Sequence, residues 1–189
     1  MGPVFSFMRG VTRLNEFIGR LVAHLIFAIF LLLIAEVFLR YFFRSPTVWT
    51  NELGQLLFGA YAVLAGGYLL ARNGHVNVDI VYGAFPRRMR AGVDVLTSLL
   101  FFAFAAVLLW QGWLFAYESI EKLETSQSAW NPSIWMFKAM IPMGAALLLL
   151  QGVVKLIQDI MIAAGRELPA DLAPATGHET REEVSKEAL

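Results

Sequence analysis

The sequence predicts an all-α integral membrane protein, with four transmembrane helices preceded by an amphipathic interfacial helix. Three observations carry this. Four apolar runs, at about 21–43, 53–71, 93–117 and 134–161, have the length a helix needs to cross a hydrocarbon core of ~30 Å. The runs are apolar all round: LLFFAFAAVLLW (Leu99–Trp110) has no polar face, whereas a helix of a soluble bundle alternates at a 3.6-residue period. The chain is 58% hydrophobic and 16% charged, with a mean hydropathy of +0.60. A soluble helical bundle, the alternative, fits none of these. The domain organisation follows: 1–20 interfacial, 21–162 membrane-spanning, 163–189 a polar tail.

Formal net charge is zero and Cys is absent, which excludes disulfides, thiolate metal sites and cysteine nucleophiles. No basic nucleic-acid patch, Walker motif, Ser/His/Asp triad or metal-ligand set is visible, so no cofactor, metal or nucleic-acid partner is expected. His24 is alone in its span, and one histidine does not make a bis-histidine haem site.

The first segment is expected to lie in the headgroup region. Phe7, Val11, Leu14 and Ile18 recur at helical spacing, with Arg9, Arg13, Glu16 and Arg20 on the other side, suiting basic groups to anionic lipid. The apolar run from Leu21 is too long for a signal-peptide core and lacks a small-residue cleavage pattern. Gly19 is the expected bend into the first span.

The first span ends in VFLRYFFRSPTVWTNEL (Val37–Leu53). Glu36, Arg40 and Arg44 are spaced by four and form one helical stripe, with glutamate in the favourable N-terminal position. A bare carboxylate inside the membrane is costly. Glu36 is therefore expected to pair with Arg40, and Glu52 across the loop to be a second partner for Arg40 or Arg44. The expected role is a structural ion pair holding the first span against the second; a proton-coupling carboxylate is the alternative.

Thr50 is placed as the N-cap of the second span, with Glu52 in its first turn. Gly59, Ala62 and Gly66 offer a small-residue surface for a packed helix. The following loop, RNGHVNVDIV, contains His75, Val76, Val78 and Asp79. Two ligands are too few for a metal, so a His75–Asp79 hydrogen bond ordering the loop is the reading, with docking to another protein a further use. Arg87, Arg88 and Arg90 open the third span against its dipole, which assigns them to cytoplasmic anchoring.

Glu118, Glu121 and Glu124 make the next loop acidic, and Trp130 and Trp135 suit an aromatic belt. Ser133 is the expected cap of the fourth span, Pro142 its expected kink, and Lys155–Asp159 a snorkelling pair. Arg9, Arg13, Arg20, Arg72, Arg87, Arg88, Arg90 and Arg166 share one side, so both termini are expected in the cytoplasm. The tail has no apolar periodicity and is expected to be disordered.

Several short motifs in order resemble a known family, over roughly Phe17 to Gln158. Arg40-Tyr41 closes the first span, and Pro46, Trp49 and Glu52 open the second. His75-Val76-x-Val78-Asp79 follows, then basic residues, then Pro142 and Gly144. The pattern resembles the small, DctQ-like Q subunit of TRAP (tripartite ATP-independent periplasmic) transporters. The resemblance implies a bacterial inner-membrane protein with four spans. Its implied partners are a large multi-helix membrane subunit, which carries the substrate and sodium sites, and a periplasmic substrate-binding protein. The implied role is a scaffold in organic-acid uptake, not an enzyme. Glu36 has no place in the family pattern. The rival readings are a homodimeric proton-coupled exporter working through Glu36, and an assembly subunit of some other membrane complex.

Overall fold

The computed structural model describes residues 2–72, 87–166, 168, 169 and 172; of residues 87, 88, 90 and 91 it describes the backbone alone. The described elements are helices, with a single isolated bridge between Thr125 and Ser133: α1 Gly2–Ala23, α2 Leu25–Tyr41, α3 Thr50–Ala71, α4 Arg87–Glu121 and α5 Trp135–Ala163. Four segments are long and apolar enough to cross a membrane, namely Gly2–Tyr41, Thr50–Ala71, Gly92–Glu121 and Trp135–Ala163.

The helices form an open layer. α2 packs on α3, α3 on α5 and α5 on α4, while α1 lies across α3 and α5. Phe101 and Ile141 of the α4–α5 pair sit beside Gly152 and Gly112 respectively, so these helices run antiparallel. Val63 meets Gly144 and Gly67 meets Leu147, so α3 and α5 run parallel. At Gly144 the approach is backbone to backbone: a Cβ there would collide with the Val63 carbonyl. Only 6% of the apolar stretch of α4 is buried, against 39% for α5 at the centre of the layer. The outer faces of α2 and α4, from Phe27, Phe30 and Leu31 to Leu96, Leu99 and Leu100, are left to lipid or to other protein.

Length explains why α1 and α2 together are more than one span. The Gly2–Tyr41 segment has 40 residues, or ~60 Å of helix, about twice the ~30 Å hydrocarbon core. The α-helical bonding tightens at His24, whose N–H reaches back to the Leu21 carbonyl at 3.2 Å, while Phe27 N–H reaches the His24 carbonyl at 3.2 Å. The break therefore falls at His24 and not at Gly19. Gly19 instead receives the ring of Tyr68, which leaves no room for a side chain.

α1 is also turned differently from its expected face. Met8, Val11, Asn15, Gly19 and Val22 are buried, while Phe7, Leu14 and Phe17 point outward. Met8 and Val11 cluster with Val154, and Val22 with Leu64 and Leu147. From Met8 to Val22 is ~21 Å along α1, but from Val154 to Leu147 is only ~10 Å along α5. α1 therefore crosses α5 obliquely. Asn15 Nδ2 donates to the Val11 carbonyl at 3.1 Å and to Gln151 Oε1 at 3.3 Å, while Gln151 Nε2 donates to Thr12 Oγ1 at 3.4 Å. Asn15 Oδ1 presses on Gly67, where a Cβ would overlap it.

Part of the segment after α5 is held as well. Leu172, 3% exposed, inserts among Met8, Val11 and Val154, and its carbonyl accepts from Gln158 Nε2 at 3.0 Å. This one apolar residue finds a crevice that no periodicity announces.

Candidate functional site

A dense polar junction joins α2 to α3. Glu36 lies one turn before Arg40, so the two side chains overlie each other on the helix surface. Glu36 Oε1 accepts from Arg40 Nη2 at 2.6 Å and from Arg40 Nε at 3.2 Å. Glu36 Oε2 accepts from Thr47 N at 3.2 Å, Thr47 Oγ1 at 2.5 Å and Thr50 Oγ1 at 2.6 Å. The two threonine hydroxyls also touch each other. Arg40 sits in the last turn of α2, where a cation suits the dipole. Both carboxylate oxygens are thus engaged, one by a guanidinium and one by three donors from the next loop and helix. Such an acid is a fixed acceptor that ties two helices and their connection together.

The other residues expected here are placed elsewhere. Glu52 accepts from Ser128 Oγ at 2.6 Å, tying α3 to the α4–α5 connection, and reaches neither arginine. Arg44 is exposed, has φ 50°, and makes no ion pair among the described residues. Thr50 is the first residue of α3 rather than its cap; Trp49 occupies the cap position without a side-chain bond, because the Thr50 hydroxyl turns to Glu36. The sequence marks Thr50 only as a cap and does not single out Thr47, so neither is expected as a donor to Glu36. Their three-residue spacing around the start of an expected helix was the available signal.

Of the small-residue surface, Gly59 and Ala62 face outward and Gly66 only brushes Leu148. Contact within the chain runs instead through Ala60, Leu64 and Gly67. Gly59 lines a groove of about 270 Å³ with Leu56, Val63, Phe137 and Ile141 between α3 and α5. His75, Val76, Val78 and Asp79 lie outside the described residues, as do the side chains of Arg87, Arg88 and Arg90.

The connection between α4 and α5 is ordered by its own bonds. Lys138 Nζ donates to Glu124 Oε2 at 2.5 Å and lies 4.1 Å from the Phe115 ring centre. Ser128 Oγ accepts from Trp130 N at 3.2 Å and from Asn131 N at 2.9 Å. The Trp49 and Trp130 rings meet at 6.3 Å, closing the connection over the start of α3. Ser133 pairs with Thr125 instead of capping α5, and Ile134 takes the cap position, its N–H bonded to the Glu124 carbonyl at 3.0 Å. The Lys138 ammonium holds the Glu124 carboxyl below the usual range, and the Glu118 carboxylate raises the Lys122 ammonium. Among the described residues no three His, Cys, Asp or Glu side chains come together as a metal site.

Four spanning helices in an open layer, joined by structural polar ties, define a polytopic helical membrane protein. The profile of the family described as "Tripartite ATP-independent periplasmic transporters, DctQ component" matches residues 29–161. The chain belongs to that family, whose members are transport components and not enzymes. It is also similar to the sialic acid TRAP transporter permease protein SiaT of Haemophilus influenzae (strain 86-028NP), with 32% identity over 95 residues. The match takes in 50% of this chain and 15% of that relative.

Proposed function

We propose that the chain is the small scaffold subunit of a TRAP transporter. It supports a large permease subunit in sodium-coupled, binding-protein-dependent uptake of an organic acid. The observation that carries this is the open layer of helices: the outer faces of α4 and α2 are unpacked, and the Glu36 tie lies where α2 ends and α3 begins. A layer of this shape presents wide apolar surface to a larger membrane partner and, among the described residues, encloses no solute path of its own. The SiaT match is consistent with this, because its 95 residues are a small part of a much longer permease.

In this reading the chain sits in the bacterial inner membrane. The end carrying Arg9, Arg13, Arg20, Arg72 and Arg166 faces the cytoplasm, together with both termini, as the positive-inside bias requires. The ordered connection with Glu118, Glu121 and Glu124 then faces the periplasm, open to the binding protein. The Glu36–Arg40 pair serves as a structural tie. An exporter working through Glu36 is disfavoured, because a carboxylate holding five donors is poorly placed to exchange protons.

The test is a pull-down of tagged chain from native membranes in mild detergent, with mass spectrometry, beside reconstitution of the purified chain. Recovery of a large multi-helix permease in near-equal amount, and no uptake by the chain alone, supports the scaffold role. Recovery of the chain only with itself, or uptake without partners, overturns it.

A further inference from the structure

A groove of about 310 Å³ opens between α2 and α3, lined by Leu32, Leu33, Val37, Tyr41, Arg40 and Asn51, with Glu36 and Thr50 at its base. We propose that this groove binds one phospholipid, with an acyl chain along Leu32, Leu33 and Val37 and the phosphodiester against Arg40.

Three features on the groove point to that occupant. The first is graded polarity. The leucines lie toward the middle of α2, and the polar residues lie where the chain turns back into α3. The second is depth. Leu32 to Arg40 spans ~12 Å of helix, close to the ~15 Å of one leaflet's hydrocarbon. An amphiphile with one end in each zone matches both.

The third is charge. A guanidinium carries five N–H donors, and Arg40 commits two of them to Glu36. The Arg40 side chain is 53% exposed, so the rest face outward. Glu36 is neutralised and fully hydrogen-bonded, so no free carboxylate lines the groove. The mouth of the groove therefore offers unused guanidinium donors at headgroup depth, which a phosphate satisfies well. A solute anion matches the charge but not the apolar depth.

Native mass spectrometry of the full chain, delipidated in mild detergent and titrated with phosphatidylglycerol, tests this. One lipid should bind ahead of the rest. Leu33→Trp, which fills the groove, should lower that first occupancy by about tenfold, one factor of ten in affinity. Val107→Trp, on the exposed face of α4, should leave it unchanged, and Arg40→Lys, which keeps a cation beside Glu36 but loses the guanidinium fork, should lower it by a smaller factor. Inorganic phosphate should not displace the lipid. Val37→Trp is the second groove-filling variant if Leu33→Trp does not fold. Equal binding by the groove and α4 variants means annular lipid only and overturns the proposal. Displacement by inorganic phosphate alone overturns it too. So does a Val37→Cys variant that cross-links to a partner subunit in native membranes, since a protein helix then fills the groove.

Discussion

The Glu36 carboxylate on α2 accepts a 2.6 Å hydrogen bond from the hydroxyl of Thr50, fourteen residues later and the first residue of α3. Thr50 is buried, so its hydroxyl has no water to turn to. Thr50→Val keeps the shape and removes the donor, and should lower the melting temperature of the detergent-solubilised chain by a few degrees. Arg40→Ala should lower it further, because it removes two bonds and leaves the acid un-neutralised beside lipid. Arg44→Ala should stay within about 0.5 kcal/mol of the parent, as an exposed residue with no ion-pair partner among the described residues. An Arg40→Ala protein that melts with Arg44→Ala would refute the structural role of the pair.

Gly144 and Gly59 should behave oppositely. A Cβ at Gly144 meets the backbone of Val63, which cannot rotate away, so Gly144→Ala should destabilise by about 1–3 kcal/mol. A Cβ at Gly59 meets nothing within 4 Å. Gly59→Ala should be neutral or should stabilise by up to about 1 kcal/mol from helix propensity. If the large subunit uses this face, the same variant should reduce co-purification while the chain's own melting temperature holds. Thermal melts and pull-downs of both variants separate these effects.

The α4–α5 connection should loosen in acid. Lys138 depresses the Glu124 carboxyl, so the folded form binds its proton less readily than the unfolded form. The stabilisation is present above the ordinary carboxylate range and is lost as pH falls through the lowered folded value. The hydrogen-exchange protection factor of the Ile134 amide, which bonds to the Glu124 carbonyl, should fall in that acid window and be steady near neutrality. Lys138→Met should remove the dependence; protection that falls equally in the variant would assign the effect elsewhere.

Leu172 should hold α1 against α5. Met8 is 0% exposed beneath it. Because the chain has no cysteine, Met8→Cys places a single thiol there, and it should resist a thiol reagent. Adding Leu172→Asp should open it to labelling, and Leu172→Ala should cost about 2 kcal/mol, the lower end for a buried leucine. Equal labelling with and without Leu172→Asp would mean that this contact does not close the crevice.

Much of this protein is settled by its sequence alone. A bilayer has a fixed thickness, so apolar runs of the right length at 21–43, 53–71, 93–117 and 134–161 correspond to α2, α3, α4 and α5 with shifts only at their ends. Glu36 and Arg40 are likewise legible, because residues four apart on a helix must be neighbours. Tertiary structure decided what joins residues distant in the chain. Glu52 went to Ser128 rather than to an arginine, Asn15 to Gln151, and Leu172 to a crevice beside Met8. It also decided that the helices form an open layer, with Gly144 and Gly67 at the close contacts and Gly59 left outside. The physical reason is that lipid solvates every apolar face alike. Hydropathy therefore marks which segments enter the membrane, but which faces meet depends on shape and on a few hydrogen bonds, and these exist only once the helices are brought together.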